Sequence, residues 1–178
     1  FVYPRRKAPE FAANLYPMFI EPVVRTYNQL GVNAGYRPIN DIQVNGRKIG
    51  GTGAASIGEA TLMVGSFMYD FDTETMARCL KVPSEKFRDK LRQTLDDYMT
   101  TMAKELPEPP ERSMLKDLFL THCAEVLKVE PVDDEPNAEE LAAIERAEAA
   151  LGRRGIAEIL ILIGYYTSVS LGLRAHNV

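Results

Sequence analysis

The chain has 178 residues and 19.9 kDa, enough for one globular domain with a real core. Its 46% hydrophobic and 26% charged residues exclude a disordered polymer, and a net charge of −4 with a pI near 5.3 argues against sequence-independent nucleic-acid binding. Two cysteines without CxxC spacing and two isolated histidines, His122 and His176, give no basis for a zinc site, so Cys79 and Cys123 are read as structural thiols. The apolar run 156–169 contains Glu158 and falls short of the roughly 20 residues of a membrane span. With no signal peptide in view, a cytoplasmic location and no membrane partner are expected.

Phe1 to Tyr3 reads as a short strand closed by Pro4. From Pro9 to Leu30, Phe11, Leu15, Phe19, Val23, Tyr27 and Leu30 recur at three- and four-residue spacing, one face of an amphipathic helix stopped by Gly31. Pro17 and Pro22 inside it predict a kink or two short pieces. Period two takes over from Tyr36 to Gly51, and Glu59 to Phe71 is a second strand-like run, with Gly65 at a bulge or tight approach. Asp72 or Thr73 can cap a short helix through Leu80, and Pro83-Ser84-Glu85 opens a longer one with Phe87, Leu91, Leu95, Tyr98 and Met102 as its stripe. Helical pattern resumes at Ser113, breaks in the acidic loop from Val129 to Asn137, restarts behind Asn137 through Leu151, and ends in an apolar helix over 156–175. Strands in the first half and helices in the second predict a mixed α/β, or α+β, fold without repeats. The basic stretches Arg5-Arg6-Lys7 and Lys86 to Arg92 read first as solvated faces.

Chemistry concentrates at INDIQVNGRKIGGTGAA, residues 39–55. Asn45-Gly46 between two period-two runs predicts a type I′ hairpin. The register that follows pairs Val44 with Arg47, Gln43 with Lys48, Ile42 with Ile49 and Asp41 with Gly50. Ile42, Val44 and Ile49 would then face the core, and Asp41, Gln43 and Lys48 the opposite side with Gly50. Arg47 would lay its stem on the apolar face and lift its head into water. The small residues from Gly50 to Ala55 leave room for backbone N–H groups to form an anion-binding concavity beside the lysine. By spacing alone, a plain edge hairpin with a solvated lysine is the competing reading, and no P-loop order is present.

Residues 40–71 carry a resemblance that spacing cannot supply. Asn40-Asp41-Ile42-Gln43-Val44-Asn45-Gly46-Arg47-Lys48-Ile49-Gly50-Gly51 matches, position by position, the central motif of the lipoate–protein ligase family, of the biotin/lipoyl ligase fold. Looser similarity extends over residues 1–151, including Asp70 to Lys90 and ELAAIERAEAAL. The resemblance implies a catalytic domain over 1–151, part of the biotin/lipoyl ligase-like central sheet, followed by an apolar helix over 152–178. It implies two-step chemistry: lipoate and ATP with Mg2+ give lipoyl-adenylate, and a lysine of an acidic lipoyl-carrier domain then attacks. Lys48 is the implied catalytic residue, contacting acyl carboxyl and phosphate; Asn40 and Asp41 sit near the adenylate, Asp41 at Mg2+; Gly50, Gly51 and Thr52 line the nucleotide edge. The basic stretch Lys86 to Arg92 is then a candidate face for the carrier.

The family's Arg-Arg-x-x-Gly-Gly-Gly segment has no match, since Arg5-Arg6-Lys7-Ala8-Pro9 lacks the glycines. Preceding residues or a second chain would supply it, or the piece does not catalyse alone. Two alternatives stand beside the ligase reading: an ATP-independent octanoyl or lipoyl transferase using a cysteine such as Cys79, and a non-catalytic subunit binding acyl groups or the carrier. The tail 153–178 resembles, faintly, the last helix of carboxymuconolactone decarboxylase-like proteins and is read first as a packing helix.

Overall fold

A computed structural model of the chain describes residues 1–152, 154 and 155. The expected mixed α/β architecture is present. Five strands, β1 (Val2–Pro4), β2 (Gly35–Arg37), β3 (Asp41–Val44), β4 (Arg47–Ile57) and β5 (Ala60–Gly65), form one antiparallel sheet in the order β1-β5-β4-β3-β2. The helices are α1 (Ala12–Gln29), α2 (Thr73–Cys79), α3 (Glu85–Tyr98), α4 (Met102–Glu105) and α5 (Arg112–Leu127), with residues 138–152 also helical. The helix expected over 156–175 lies outside the described residues.

α1 and α5 pack together over one face of the sheet. Tyr16, Phe19, Ile20, Val23 and Tyr27 of α1, Ile42, Val44, Ile49 and Met63 of the strands, and Leu115 of α5 form the core. Phe1, Phe19, Phe67 and Phe119 knit strand, loop and helices through ring contacts at 4.9–5.8 Å. α1 runs unbroken through Pro17 and Pro22 instead of splitting in two, with Leu15, Phe19, Val23 and Tyr27 of its stripe buried and Phe11, before the helix, exposed. Packing of such a face outweighs two lost backbone bonds.

Local signals placed the caps. The Asp72 carboxylate accepts from Thr75 N–H, and Ser84 Oγ from Phe87 N–H. Asn137 Oδ1 accepts from the N–H groups of Glu139 and Glu140 while Glu140 accepts from Asn137 N–H, a reciprocal capping box. The second strand-like run ends earlier than its pattern suggests. β5 stops at Gly65, and beyond it the carbonyls of Met68 and Tyr69 accept from Met102 and Ala103 N–H at the start of α4. A helix end needing acceptors for its free N–H groups takes that segment out of the sheet. Gly65 is a tight approach: a Cβ there would lie 3.2 Å from Thr52 Cγ2.

Candidate functional site

Asn45 and Gly46 turn with φ of +49° and +80°, the backbone a type I′ hairpin demands. Val44 pairs with Arg47 and Gln43 with Lys48, as the turn predicts. Then the register shifts. Ile42 pairs with Gly50 and Asp41 with Gly51, so Ile49 is an extra residue in β4. The predicted Ile42–Ile49 and Asp41–Gly50 pairs do not form. Tyr27 explains the difference: its buried hydroxyl donates to Ile49 carbonyl at 3.0 Å and accepts from Met68 N–H at 3.0 Å. The bulge's stray acceptor is thus satisfied from α1, and burial pushes the Tyr27 phenol up to about 12.

The bulge changes which glycine serves which face. A Cβ on Gly50 would meet Ile42 Cδ1 at 3.4 Å and the Ser66 carbonyl oxygen at 3.2 Å, so Gly50 faces the core. A Cβ on Gly51 would meet Lys48 Cε and Nζ, both at 3.0 Å. The lysine therefore lies flat across Gly51, on the side away from α1. Its amine is not free of partners, as the sequence alone suggested. Lys48 Nζ stands 2.6 Å from Asp41 Oδ1, with the lysine side chain 24% exposed and the aspartate 15%.

Asp41 in turn is gripped from elsewhere. Arg37 on β2, its direct cross-strand partner, reaches Asp41 Oδ2 at 2.6 Å. The Tyr98 hydroxyl at the end of α3 lies 3.3 Å from the same oxygen and accepts from Arg37, whose guanidinium sits 5.2 Å above the Tyr98 ring. Burial acts to raise the Asp41 pKa, but hydrogen bonds and charge from Lys48 and Arg37 outweigh it and hold the carboxyl below its ordinary value. Arg37 and Tyr98 are invisible to sequence reasoning at this site; Tyr98 is 61 residues from Arg37, and only folding joins them.

The remaining predicted residues divide. Asn40 is fastened to Thr52: its side-chain amide donates to the Thr52 carbonyl, and Thr52 N–H and Oγ1–H both donate to the Asn40 carbonyl at 2.9 Å. Thr52 is buried on the core side with Gly50, so Lys48, Asp41 and Gly51 alone of the predicted set share the open face. The glycine-rich stretch is extended strand. Residues 52–57 pair with β5, which takes up one edge of that backbone. Arg47, its side chain 40% exposed, pairs with Glu105 of α4 at 2.8 Å.

Further along the same face the strands are apolar. Beyond Gly51 on that side, β4 carries Gly53, itself buried, and Ala55, opposite Val64 and Leu62 of β5, with Val2 of β1 beside Leu62. Val64 is 46% and Val2 75% exposed. A cation at one end of a shallow apolar strip suits a molecule with an anionic head and a long apolar tail. A cleft of about 830 Å3 opens on the helix-covered side between Met63, Phe67, Leu115 and Phe119; Thr52 and Val64 also line it, and Lys48 does not. Cys79 is exposed at the end of α2, whereas the groups bonded to Asp41 are Arg37, Lys48 and Tyr98. Both Asp41 oxygens are committed to cations, so the carboxylate as placed does not fit a divalent ion. Among the described residues no group of three His, Cys, Asp or Glu side chains could hold one.

The family model of the lipoyl protein ligase A/B catalytic domain matches residues 1–124. The chain belongs to this family. Within the lipoyl protein ligase family it is 33% identical over 97 residues to the lipoate-protein ligase LplJ of Bacillus subtilis, spanning 48% of this chain and 29% of that protein. Its fold is similar to a bipartite lipoate protein ligase from Thermoplasma acidophilum described with its E2 lipoyl domain, with a TM-score of 0.72 at 20% identity, covering 82% of this chain and 56% of that one. It is similar also to a lipoate-protein ligase A bound with ATP, with a TM-score of 0.65 at 16% identity over 82% of this chain and 57% of that one. The chain thus spans under a third of LplJ and just over half of each solved ligase chain. Among its described residues no helix is long and apolar enough to cross a membrane.

Proposed function

We propose that this chain supplies the acyl-adenylate-forming part of a lipoate–protein ligase. Lipoate and ATP would give lipoyl-adenylate and pyrophosphate; the ε-amine of a lysine on a lipoyl-carrier domain would then attack the mixed anhydride, releasing AMP. The carrying observation is Lys48 laid over Gly51 on the face that carries the apolar strip Val64, Leu62 and Val2. An acyl tail along the strip brings its carboxyl group to the ammonium. Negative charge on the carbonyl and phosphate oxygens grows in both steps, and a fixed cation stabilises it more in the transition state than in the ground state. ATP as co-substrate and a lipoyl domain as acceptor are supported by the names of the solved ligases of similar fold.

Asn40 and Gly51 serve this reading as positioning elements, the first tying β3 to β4 and the second leaving room for the lysine. Asp41 orients Lys48. Lys48→Ala should add about 3–4 kcal/mol to the barrier of adenylate formation, read as pyrophosphate release from lipoate and ATP by the whole protein. An unchanged rate would overturn the assignment. Acyl transfer that persists without ATP and vanishes with Cys79→Ser would put a cysteine transferase in its place.

A further inference from the structure

A lysine in contact with one carboxylate makes a neutral pair, and a neutral pair offers little attraction to an anion. Lys48 and Asp41 alone would be such a pair, closed at 2.6 Å. The third member changes the count. Arg37 takes the other carboxylate oxygen at 2.6 Å, so each cation has its own oxygen and the three groups together carry one positive charge. Arg37 is not free to wander from this post. It starts from the strand position directly opposite Asp41, donates to the Tyr98 hydroxyl, and lies over the Tyr98 ring, while Tyr98 is anchored at the end of α3. That end is itself tied to the lysine strand, Thr100 N–H donating to the Lys48 carbonyl at 2.8 Å.

We propose that Arg37, held by Tyr98, is a charge-balancing and positioning residue: it draws the negative charge of Asp41 away from Lys48, so that Asp41 can fix the lysine in place without cancelling it. The acyl-phosphate anion then meets an ammonium that is both held and electrically available. This inference rests on the reading that Lys48 receives an adenylate. One guanidinium nitrogen, Nη2, serves both the carboxylate and the phenol while the planar group lies over the Tyr98 ring, a stacking that a compact ammonium on a flexible stem does not reproduce.

The test measures binding of a non-hydrolysable lipoyl-adenylate mimic by calorimetry to the whole protein and its variants. Arg37→Ala should weaken binding about tenfold, the scale of one partly screened charge several ångströms away. Arg37→Gln, which keeps a stem over Tyr98, should do the same and replaces it if Arg37→Ala does not fold. The deciding variant is Arg37→Ala combined with Asp41→Asn. With no carboxylate to neutralise Lys48, the arginine is no longer needed, and binding should return to within about threefold of the parent. Wild-type affinity in Arg37→Ala, with Lys48→Ala impaired, would overturn the inference and leave the lysine reading standing. A loss that Asp41→Asn does not rescue would overturn it too, since Arg37 would then touch the ligand or merely support the fold. Wild-type binding by Lys48→Ala would instead remove the adenylate reading, and this inference with it.

Discussion

Gly51→Ala separates the reaction from the fold. The added methyl would sit 3.0 Å from both Lys48 Cε and Nζ and 4.0 Å from Asp41 Oδ1, against an ordinary contact of about 3.5–4.0 Å between carbons. The strand backbone stays where it is, because what it strikes is the far end of a flexible side chain. Lys48 must therefore lift by something under about 1 Å. Stability should hold or rise by about 0.4–1 kcal/mol, the gain from restricting a glycine in the unfolded chain. A displacement of that size at a reacting group is worth about 100-fold in rate. The pair of measurements is a urea unfolding curve and lipoyl-adenylate formation, followed by pyrophosphate release in the whole protein. A variant as fast as the parent would refute the premise that the lysine works from its place on Gly51. One that loses stability in step with activity would refute the claim that the glycine serves the lysine and not the sheet.

Gly50→Ala should behave in the opposite sense, because its methyl meets the backbone oxygen of Ser66, just past the end of β5, at 3.2 Å, and backbone gives way less readily than the end of a side chain; a lowered melting temperature is the expected readout. Tyr27→Phe strands the Ile49 carbonyl and the Met68 N–H and should cost about 1–3 kcal/mol per orphaned group in urea unfolding. The same tyrosine sets an alkaline limit: its pKa is raised in the fold, so its contribution is intact below about pH 10 and lost as pH climbs towards about 12, a loss that Tyr27→Phe should flatten. Asp41 sets an acid one. Its pKa is lowered in the fold, so its stabilisation is present above its unfolded value and disappears as pH falls below the ordinary carboxylate range; Asp41→Asn should remove that part of the acid dependence of unfolding. Val64→Glu on the apolar strip should weaken a lipoyl-adenylate mimic while leaving AMP binding unchanged, measured by calorimetry.

What the sequence disclosed was whatever is decided within a few residues. The Asn45-Gly46 turn, the outward lysine, the caps at Asp72, Ser84 and Asn137, and the buried stripe of α1 all depend on neighbours in the chain. The bulge at Ile49 does not. It needs a hydroxyl from 22 residues away, and without Tyr27 in place the regular register was the sound expectation. The same holds for the residues after Gly65, apolar enough for a strand but recruited by the start of α4, and for Arg37 and Tyr98, which meet Asp41 only when β2, β3 and the end of α3 converge. The glycine-rich stretch misled for a different reason. Small residues permit a cradle for anions, but they equally permit a flat strand, and β5 was there to pair with it.

The extra residue at Ile49 gives the two surfaces of the sheet different arithmetic. Counting from the hairpin, the buried side takes residues 47 and 49 and then 50 without a skip, and the outer side goes from 48 straight to 51. A single phenol on α1 holds the carbonyl that this offset leaves over. The address of the ammonium is therefore written from behind, and a change in how α1 seats would reach the outer surface not as a gradual drift but as a jump of one whole position.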